Sequence, residues 1–326
     1  GETGKIIILD NLSAIKGNEA IDIPPLSNIL FVKGDVRSDI DLKRVFREKP
    51  TIVFHLAAFF ANQNSVDYPE VSADVDIIGL LKLMDLSKLT NVDKFVFASS
   101  STVHGSYEEM PLKEDSISIH LTTPYQINKL TGEMYCNYYY HHYGLNTIKC
   151  RFFNSFGPGE TPGQYRNVIP NFIYWSMLGK SLPLTGTGNE TRDFTYVLDL
   201  VQGLIKAAYY KEAVGQSFNL ASGKEIKIID MISMVNNATG NSTPITKYPS
   251  RKWDTKKRLL ASIDLAEKLI NYKPKIKFQD GLKTNMEWFK TNWDMIQNVA
   301  DFPIGMSSAV RKKKIILWEK KFSSSF

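Results

Sequence analysis

Short, uninterrupted apolar runs alternate along this chain with stretches of helical periodicity. KIIILD at Lys5–Asp10, ILFVKGD at Ile29–Asp35, TIVFHLA at Thr51–Ala57, KFVFASS at Lys94–Ser100 and TIKCRFF at Thr147–Phe153 each predict a strand. Polar residues do not alternate within them, as expected of strands buried on both faces. Asp39–Glu48, Val71 to about Leu89, and Thr123 to about Tyr143 carry apolar residues at helical spacing between those runs. Buried strands separated by amphipathic helices predict an α/β fold built on a doubly wound parallel sheet. The texture changes after Gly157-Pro158-Gly159, where loops lengthen around Thr161-Pro162-Gly163 and Gly186-Thr187-Gly188. Helices are predicted there at about Val168–Leu178, Val197–Tyr209, Ile228–Asn236 and Phe278–Met295, with short strands between them. The organisation expected is a first domain over 1–156, with 190–215 returning to it, and a smaller α+β lobe over 157–300. A basic tail follows over 301–326.

Composition narrows this picture only slightly. With 326 residues, 43% hydrophobic and 23% charged, the chain can bury a full core. No apolar run approaches the length of a bilayer span, and no secretory signal opens the chain. Cys136 and Cys150 both fall inside predicted regular elements and read as reduced packing residues, which makes the cytoplasm the expected compartment. The five histidines show no metal-ligand spacing, so no metal is expected. The net charge of +6 suggests nucleic acid until it is located: +5 of it lies between Arg311 and Lys321. The remainder is nearly neutral, and the tail reads as a solvated segment.

The candidate chemistry lies at Tyr125-Gln-Ile-Asn-Lys129, with Ser99-Ser100-Ser101-Thr102 upstream. Tyr125 and Lys129 are four residues apart and share one helix face. A phenolate base near pH 7 needs its pKa lowered by roughly 3 units, which a neighbouring ammonium favours. Ser100 closes a predicted strand, and ligands of open α/β sheets bind at that end. The three side chains form a device for taking a proton from an alcohol or sugar hydroxyl as hydride leaves the carbon. Asp10, followed by Asn11 and Leu12, closes the KIIILD strand, where a carboxylate suits the two ribose hydroxyls of an adenosine and repels a 2′-phosphate. NAD is therefore favoured over NADP. Asp35 and Val36, at the next strand end, are placed to contact adenine. Leu56, Ala57 and Ala58 follow His55 where a flat cofactor passes close to backbone. A G-x-x-G-x-x-G turn after a first strand does not occur, since Gly1 and Gly4 precede what reads as the second strand. The expectation is a sheet without its first strand, glycine turn and first helix, through an N-terminal truncation or a damaged cofactor site.

Taken together, LDNLS, GDV, HLAA, ASSSTVHG, YQINK, RFFNSFGPGE, YRNVIPNF, TGTGNETRDFTYV and PSRKWDTKK resemble the extended short-chain dehydrogenase/reductase family. Within it, the chain is similar to the nucleotide-sugar epimerases of the UDP-glucose 4-epimerase kind, over about Ile6 to Arg311. The resemblance implies a Rossmann-like fold, bound NAD, and C4 epimerisation of a nucleoside-diphosphate sugar through a transient keto sugar. It makes Tyr125 the base, Lys129 its activator and Ser100 the hydroxyl partner, with Thr102 also near the sugar. Asn154 and Asn167 would contact the substrate, Arg192 and Arg251 its phosphates, and Asp254 its ribose. It also implies a homodimer in which the helices near Val71–Leu89 and Thr123–Tyr143 form a four-helix interface. Family dehydratases usually carry Asp-Glu after the active-site hydroxyl, and decarboxylases a Glu, whereas this chain has Ser101-Thr102. That is the epimerase pattern. A dehydratase or decarboxylase, and a non-catalytic sugar-nucleotide-binding relative, remain the alternatives. Two departures stand out: Asp76 where the family commonly has Asn, and His104 where Tyr is common before Gly105.

Overall fold

The computed structural model describes residues 4–14 and 23–302; the basic tail lies outside them. In chain order, β1 (Ile6–Asp10), β2 (Ile29–Lys33), α1 (Asp39–Phe46), β3 (Ile52–His55), α2 (Asn62–Asp67), α3 (Pro69–Ala73) and α4 (Gly79–Leu89) come first. They are followed by β4 (Lys94–Ser100), α5 (Pro124–Tyr143), β5 (Thr147–Phe152) and β6 (Ser155–Phe156). The second half adds α6 (Val168–Met177), β7 (Pro183–Thr185), β8 (Thr191–Asp193), β9 (Thr195–Tyr196), α7 (Val197–Tyr209) and β10 (Ser217–Leu220). It ends with β11 (Glu225–Lys227), α8 (Ile228–Thr239), β12 (Thr246–Tyr248), α9 (Asp264–Ile270), α10 (Phe278–Thr291) and α11 (Trp293–Val299).

The apolar runs pair as parallel strands, as their burial requires. β3, β4, β5 and β10 form one four-stranded sheet in the order β10-β5-β4-β3. β4, the central run KFVFASS, is buried along nearly its whole length. β1 and β2 form a separate parallel pair, with Ile6 opposite Ile29. Among the described residues no ladder joins this pair to the larger sheet. The two are held together through helices. Leu42 and Phe46 of α1, Leu80 and Met84 of α4, and Phe95 and Phe97 of β4 share one core cluster, against which Leu9 and Val53 pack. At its rim Lys82 pairs with Asp39 at 2.9 Å and donates to the Arg37 carbonyl at 2.7 Å. This is the α/β, Rossmann-like parallel architecture expected, with β1 and β3 each ending their sheets.

A second core gathers α6, α8 and α10 around Phe172, Trp175, Met231, Ile232 and Phe289. Asp193 lies near it, fully buried at the end of β8. Its carboxylate accepts from the amides of Ser222 (2.9 Å), Gly223 (3.1 Å) and Ala261 (3.3 Å) and from the Ser222 hydroxyl. Burial nonetheless pushes it up to about 6.

Two predicted helices are interrupted. The segment expected as one helix over Val71–Leu89 is α3, a π-helical turn over Asp74–Ile78, and α4. That turn holds the buried Asp76. Its carboxylate accepts from the Phe59 amide (2.8 Å), the Ser72 hydroxyl (3.0 Å) and the Asn128 amide (3.3 Å). The wider turn brings a buried carboxyl within reach of three donors from a loop, α3 and α5, and such turns recur at functional sites. The helix expected over Phe278–Met295 stops at Asn292, whose amide bonds the Trp288 carbonyl at 2.9 Å, and α11 begins at Trp293.

Candidate active site

Placement of the site begins with α5. The Thr123 hydroxyl caps its start, accepting from the Gln126 amide at 3.3 Å, and Pro124 occupies its first turn. The Tyr125 amide donates to the Ser65 hydroxyl at 3.0 Å, fixing the helix end on α2. Further along, Gly132 carries no Cβ because one would stand 2.5 Å from the Phe97 ring. That absence lets α5 lie close on β4 and brings Tyr125 to the strand's carboxyl end.

There Ser100, the last residue of β4, lines the same cavity as Tyr125, and its Oγ accepts from the Thr102 amide at 3.2 Å. Burial, then the Asp76 carboxylate, holds the Tyr125 hydroxyl above its usual range. The Lys129 ammonium donates to the Ala98 carbonyl at 2.7 Å and lies 5.6 Å from the centre of the Tyr125 ring. Burial lowers its pKa, while Asp76 and Glu133 act against that. His55 faces this group from β3, and burial with the Lys129 charge holds it neutral, down to about 3.

Two adjoining cavities meet beside these residues. The first, about 570 Å³, is lined by Leu56, Ala58, Ser100, Tyr125 and Lys129. The second, about 290 Å³, is lined by Arg192, Arg251, Asp254 and Lys256. Thr102, Asn154 and Asn167 border both. Arg192 donates to Asp254 at 2.8 Å and to the carbonyls of Thr191 (2.8 Å) and Lys256 (3.1 Å). Arg251 lies 5.1 Å from the Trp253 ring, with its Nε buried and unpartnered. Thr102 Oγ1 is likewise buried without a partner. Asn154 adopts a left-handed backbone (φ 33°), and its amide donates to the Asp193 carbonyl at 2.9 Å. Asn167 caps α6 by position only, without a side-chain bond.

Nine of the residues singled out from sequence meet at this junction and its second cavity, with Leu56 and Ala58 beside them. The others stand apart. Asp10, Asn11, Leu12, Asp35 and Val36 sit at the carboxyl ends of β1 and β2 and line neither cavity, nor does Ala57. Asp10 accepts from the Leu12 amide at 2.6 Å. Asp35 is occupied by Arg37 (2.8 and 2.9 Å) and Asn11 (2.8 Å), and the Arg37 bonds hold its carboxyl well below the usual carboxylate range. Among the described residues no three His, Cys, Asp or Glu side chains gather to hold a metal. Cys136 and Cys150 are buried free thiols. Sequence reasoning missed Gln126, Trp253 and Lys256 as cavity-lining residues. Lys256 lay inside the PSRKWDTKK motif, but nothing in its spacing distinguishes it from Lys252 or Lys257.

A catalytic-type Ser, Tyr and Lys at the carboxyl end of a parallel sheet, beside an arginine-lined cavity, define a nucleotide-handling α/β protein. Residues 2–221 match the NAD dependent epimerase/dehydratase family, to which this chain belongs. It is 31% identical over 289 residues to a putative UDP-glucose 4-epimerase of Methanocaldococcus jannaschii, covering 88% of this chain and 91% of that one. It is 31% identical over 304 residues to a UDP-glucuronate 4-epimerase of Thermodesulfobacterium geofontis, covering 91% and 92%. The solved epimerase Mth375 of Methanothermobacter thermautotrophicus superposes with a TM-score of 0.89 at 48% identity, covering 91% of this chain and 88% of that one. Homologues of this chain are sugar epimerases. No helix among the described residues is long and apolar enough to cross a membrane.

Proposed function

We propose that this chain catalyses NAD-dependent epimerisation of a nucleoside-diphosphate sugar at C4. The observation carrying this reading is the meeting of Ser100, Tyr125 and Lys129 at the wall between the two cavities. Asp10, exposed at the end of β1, suits the adenosine ribose diol. Lys129 and Tyr125, beside Leu56 and Ala58, suit the nicotinamide ribose. These two ends fit NAD. Among the described residues no glycine turn leads into a helix N-terminus to receive the pyrophosphate.

NAD, held by the residues lining this cavity, would supply a hydride acceptor and a positively charged ring. Tyr125 takes the C4 hydroxyl proton, and its raised pKa means that the phenolate forms only when positive charge gathers around it. Lys129 supplies part of that charge, and Ser100 holds the reacting oxygen. Arg192 and Arg251 pair with the diphosphate, Asp254 with the ribose, and Asn154 and Asn167 with the sugar and nucleotide. After the sugar turns, Tyr125 returns the proton on the opposite face. Elimination needs an acid and a base at neighbouring positions. Ser101 and Thr102 offer no carboxylate, which favours epimerisation over dehydration or decarboxylation. The test is turnover of UDP-glucose and UDP-galactose with added NAD, beside Tyr125→Phe. Interconversion that falls by roughly 10²–10⁴-fold in the variant supports the reading; water loss from the sugar, or near-normal turnover by Tyr125→Phe, overturns it.

The break between β1 and β3 favours a second reading, in which the chain binds sugar nucleotide without turnover. Retained UDP binding with no NAD binding by calorimetry would select it.

Residues 157–300 act as the substrate lobe in this reading, supported by the separate core around Trp175 and Phe289. The exposed Ile127, Met134, Tyr138 and Tyr143 of α5, with Ile78 and Leu89 on the neighbouring segment, support a dimer formed by these helices. Light scattering at micromolar concentration should give twice the 37.0 kDa chain mass; a monomer mass contradicts it. Two free buried thiols support a reducing, cytoplasmic compartment.

A further inference from the structure

Two loops help wall the second cavity: residues 157–167 between β6 and α6, and residues 249–263 between β12 and α9. Neither contains a helix or strand. The first carries Arg166 and Asn167, the second Arg251 and Asp254. Such segments are placed by the side-chain bonds they make rather than by a ladder. Both reach the same short helix, α2. Trp253 Nε1 donates to Gln63 Oε1 at 2.9 Å, and the Arg251 guanidinium lies 5.1 Å from the Trp253 ring. Gln63 Nε2 donates in turn to Asp67 Oδ1 at 3.1 Å, four residues on along the same helix face. The Tyr165 hydroxyl, next to Arg166, donates to the other oxygen, Asp67 Oδ2, at 2.6 Å. One unbroken run of hydrogen bonds, Trp253–Gln63–Asp67–Tyr165, thus ties both loops together. The same helix seats the start of α5. Ser65 Oγ takes the Tyr125 amide at 3.0 Å, and Asn62 Oδ1 takes the Thr123 hydroxyl at 2.8 Å.

We propose that Gln63 and Asp67 are positioning residues that latch both loops of the nucleotide cavity to the helix seating Tyr125, so that filling the cavity steadies the start of α5. Every bond in the run has one workable direction. An indole N–H only donates, a glutamine amide accepts at one atom and donates at the other, and a carboxylate accepts on both sides. Removing a member leaves its neighbour with an unmatched donor or acceptor. Asp67 lines neither cavity, so it can affect a ligand only through the loops it holds. A second tie runs in parallel: the Thr122 hydroxyl donates to the Trp253 carbonyl at 3.3 Å, directly before the Thr123 cap of α5.

The proposal rests on the nucleotide-sugar reading, and the two fail differently. Calorimetric titration of the full chain with UDP tests it, repeated with Trp253→Phe, Gln63→Met, the double variant and Asp67→Ala. Each single variant should bind UDP roughly threefold to tenfold more weakly, the worth of one hydrogen bond. The double variant should bind within about twofold of Gln63→Met, whose loss already includes the indole bond. In amide hydrogen exchange, UDP should slow Tyr125–Asn128 in the unsubstituted protein and slow them less in Gln63→Met. A merely structural role would lower the urea midpoint and leave UDP affinity alone, so unchanged affinity in Gln63→Met and Asp67→Ala overturns the latch. So do losses that multiply in the double variant, which would put Gln63 and Trp253 on the ligand separately. Equal protection of α5 by UDP in the two proteins overturns the link to Tyr125. Failure of the unsubstituted protein to bind UDP would reject the nucleotide-sugar reading itself, and the latch with it.

Discussion

Glu160 shows how one side chain can make the site's stability depend on pH. It lines the first cavity, accepts from the Asn167 amide at 3.3 Å, and is pushed up by burial from 4.5 to about 7 despite Arg166 nearby. The folded state therefore favours the protonated acid. Its stabilising effect is present at low pH and is lost as pH rises from the unfolded value through about 7. Glu160→Gln keeps the acceptor and removes the charge. Its stability relative to the unsubstituted protein, by urea unfolding, should grow by about 1–3 kcal/mol between pH 5 and pH 8; a constant difference would mean that Glu160 is ionised throughout. Tyr125, Lys129 and Ser100 were legible in sequence because their relation is local: four residues on one helix, and one strand end. Asp76 stood out only as a departure and Lys256 not at all, because the donors around the one and the cavity beside the other are brought by distant segments.

The joint between α5 and β4 sets the site's precision at the level of elements. Gly132 allows the approach, since a Cβ there would meet Phe97 Cζ at 2.5 Å and Cε1 at 3.0 Å. Gly132→Ala must push the helix off the strand or turn a ring that is packed in the core, at a cost of about 1–3 kcal/mol. A fall in the urea midpoint is the expected outcome. If turnover is established, kcat should fall too, since displacing α5 moves Tyr125 from Ser100. An unchanged midpoint would show that this contact is loose. Most elements were legible because their apolar periods are long: β4 and α7 have the predicted limits. The interruptions were not legible. The π-helical turn answers to the needs of a buried carboxylate, and the stop at Asn292 to a side chain bonding its own helix. β10, four residues of SFNL, is too short for its pattern to distinguish strand from loop, and only β5 beside it defines it.

On the scale of the whole molecule, the order of the sheets matters most. The pattern of buried strands gave the parallel architecture, and the missing glycine turn gave the expectation that β1 and β3 would lack a partner between them. How the pair stays attached was not legible, because that depends on α1 and α4 sharing a core contributed from both sides. β1 is exposed at both ends and only half-buried between, whereas β4 is enclosed by β3 and β5. The β1–β2 pair can therefore open without breaking any ladder of the larger sheet, losing chiefly the contacts of Leu9 and Val32 and the Lys5–Glu48 ion pair. Segments with few buried contacts open sub-globally, at a free energy below that of full unfolding. In amide hydrogen exchange, Ile6–Asp10 and Ile29–Lys33 should exchange together, and well before Phe95–Ser99 and Ile148–Arg151. Equal protection across all four strands would make the molecule a single cooperative unit. If the pair does open early, the end of the molecule that carries Asp10 and Asp35 unlatches on its own, while the Tyr125 end keeps its shape.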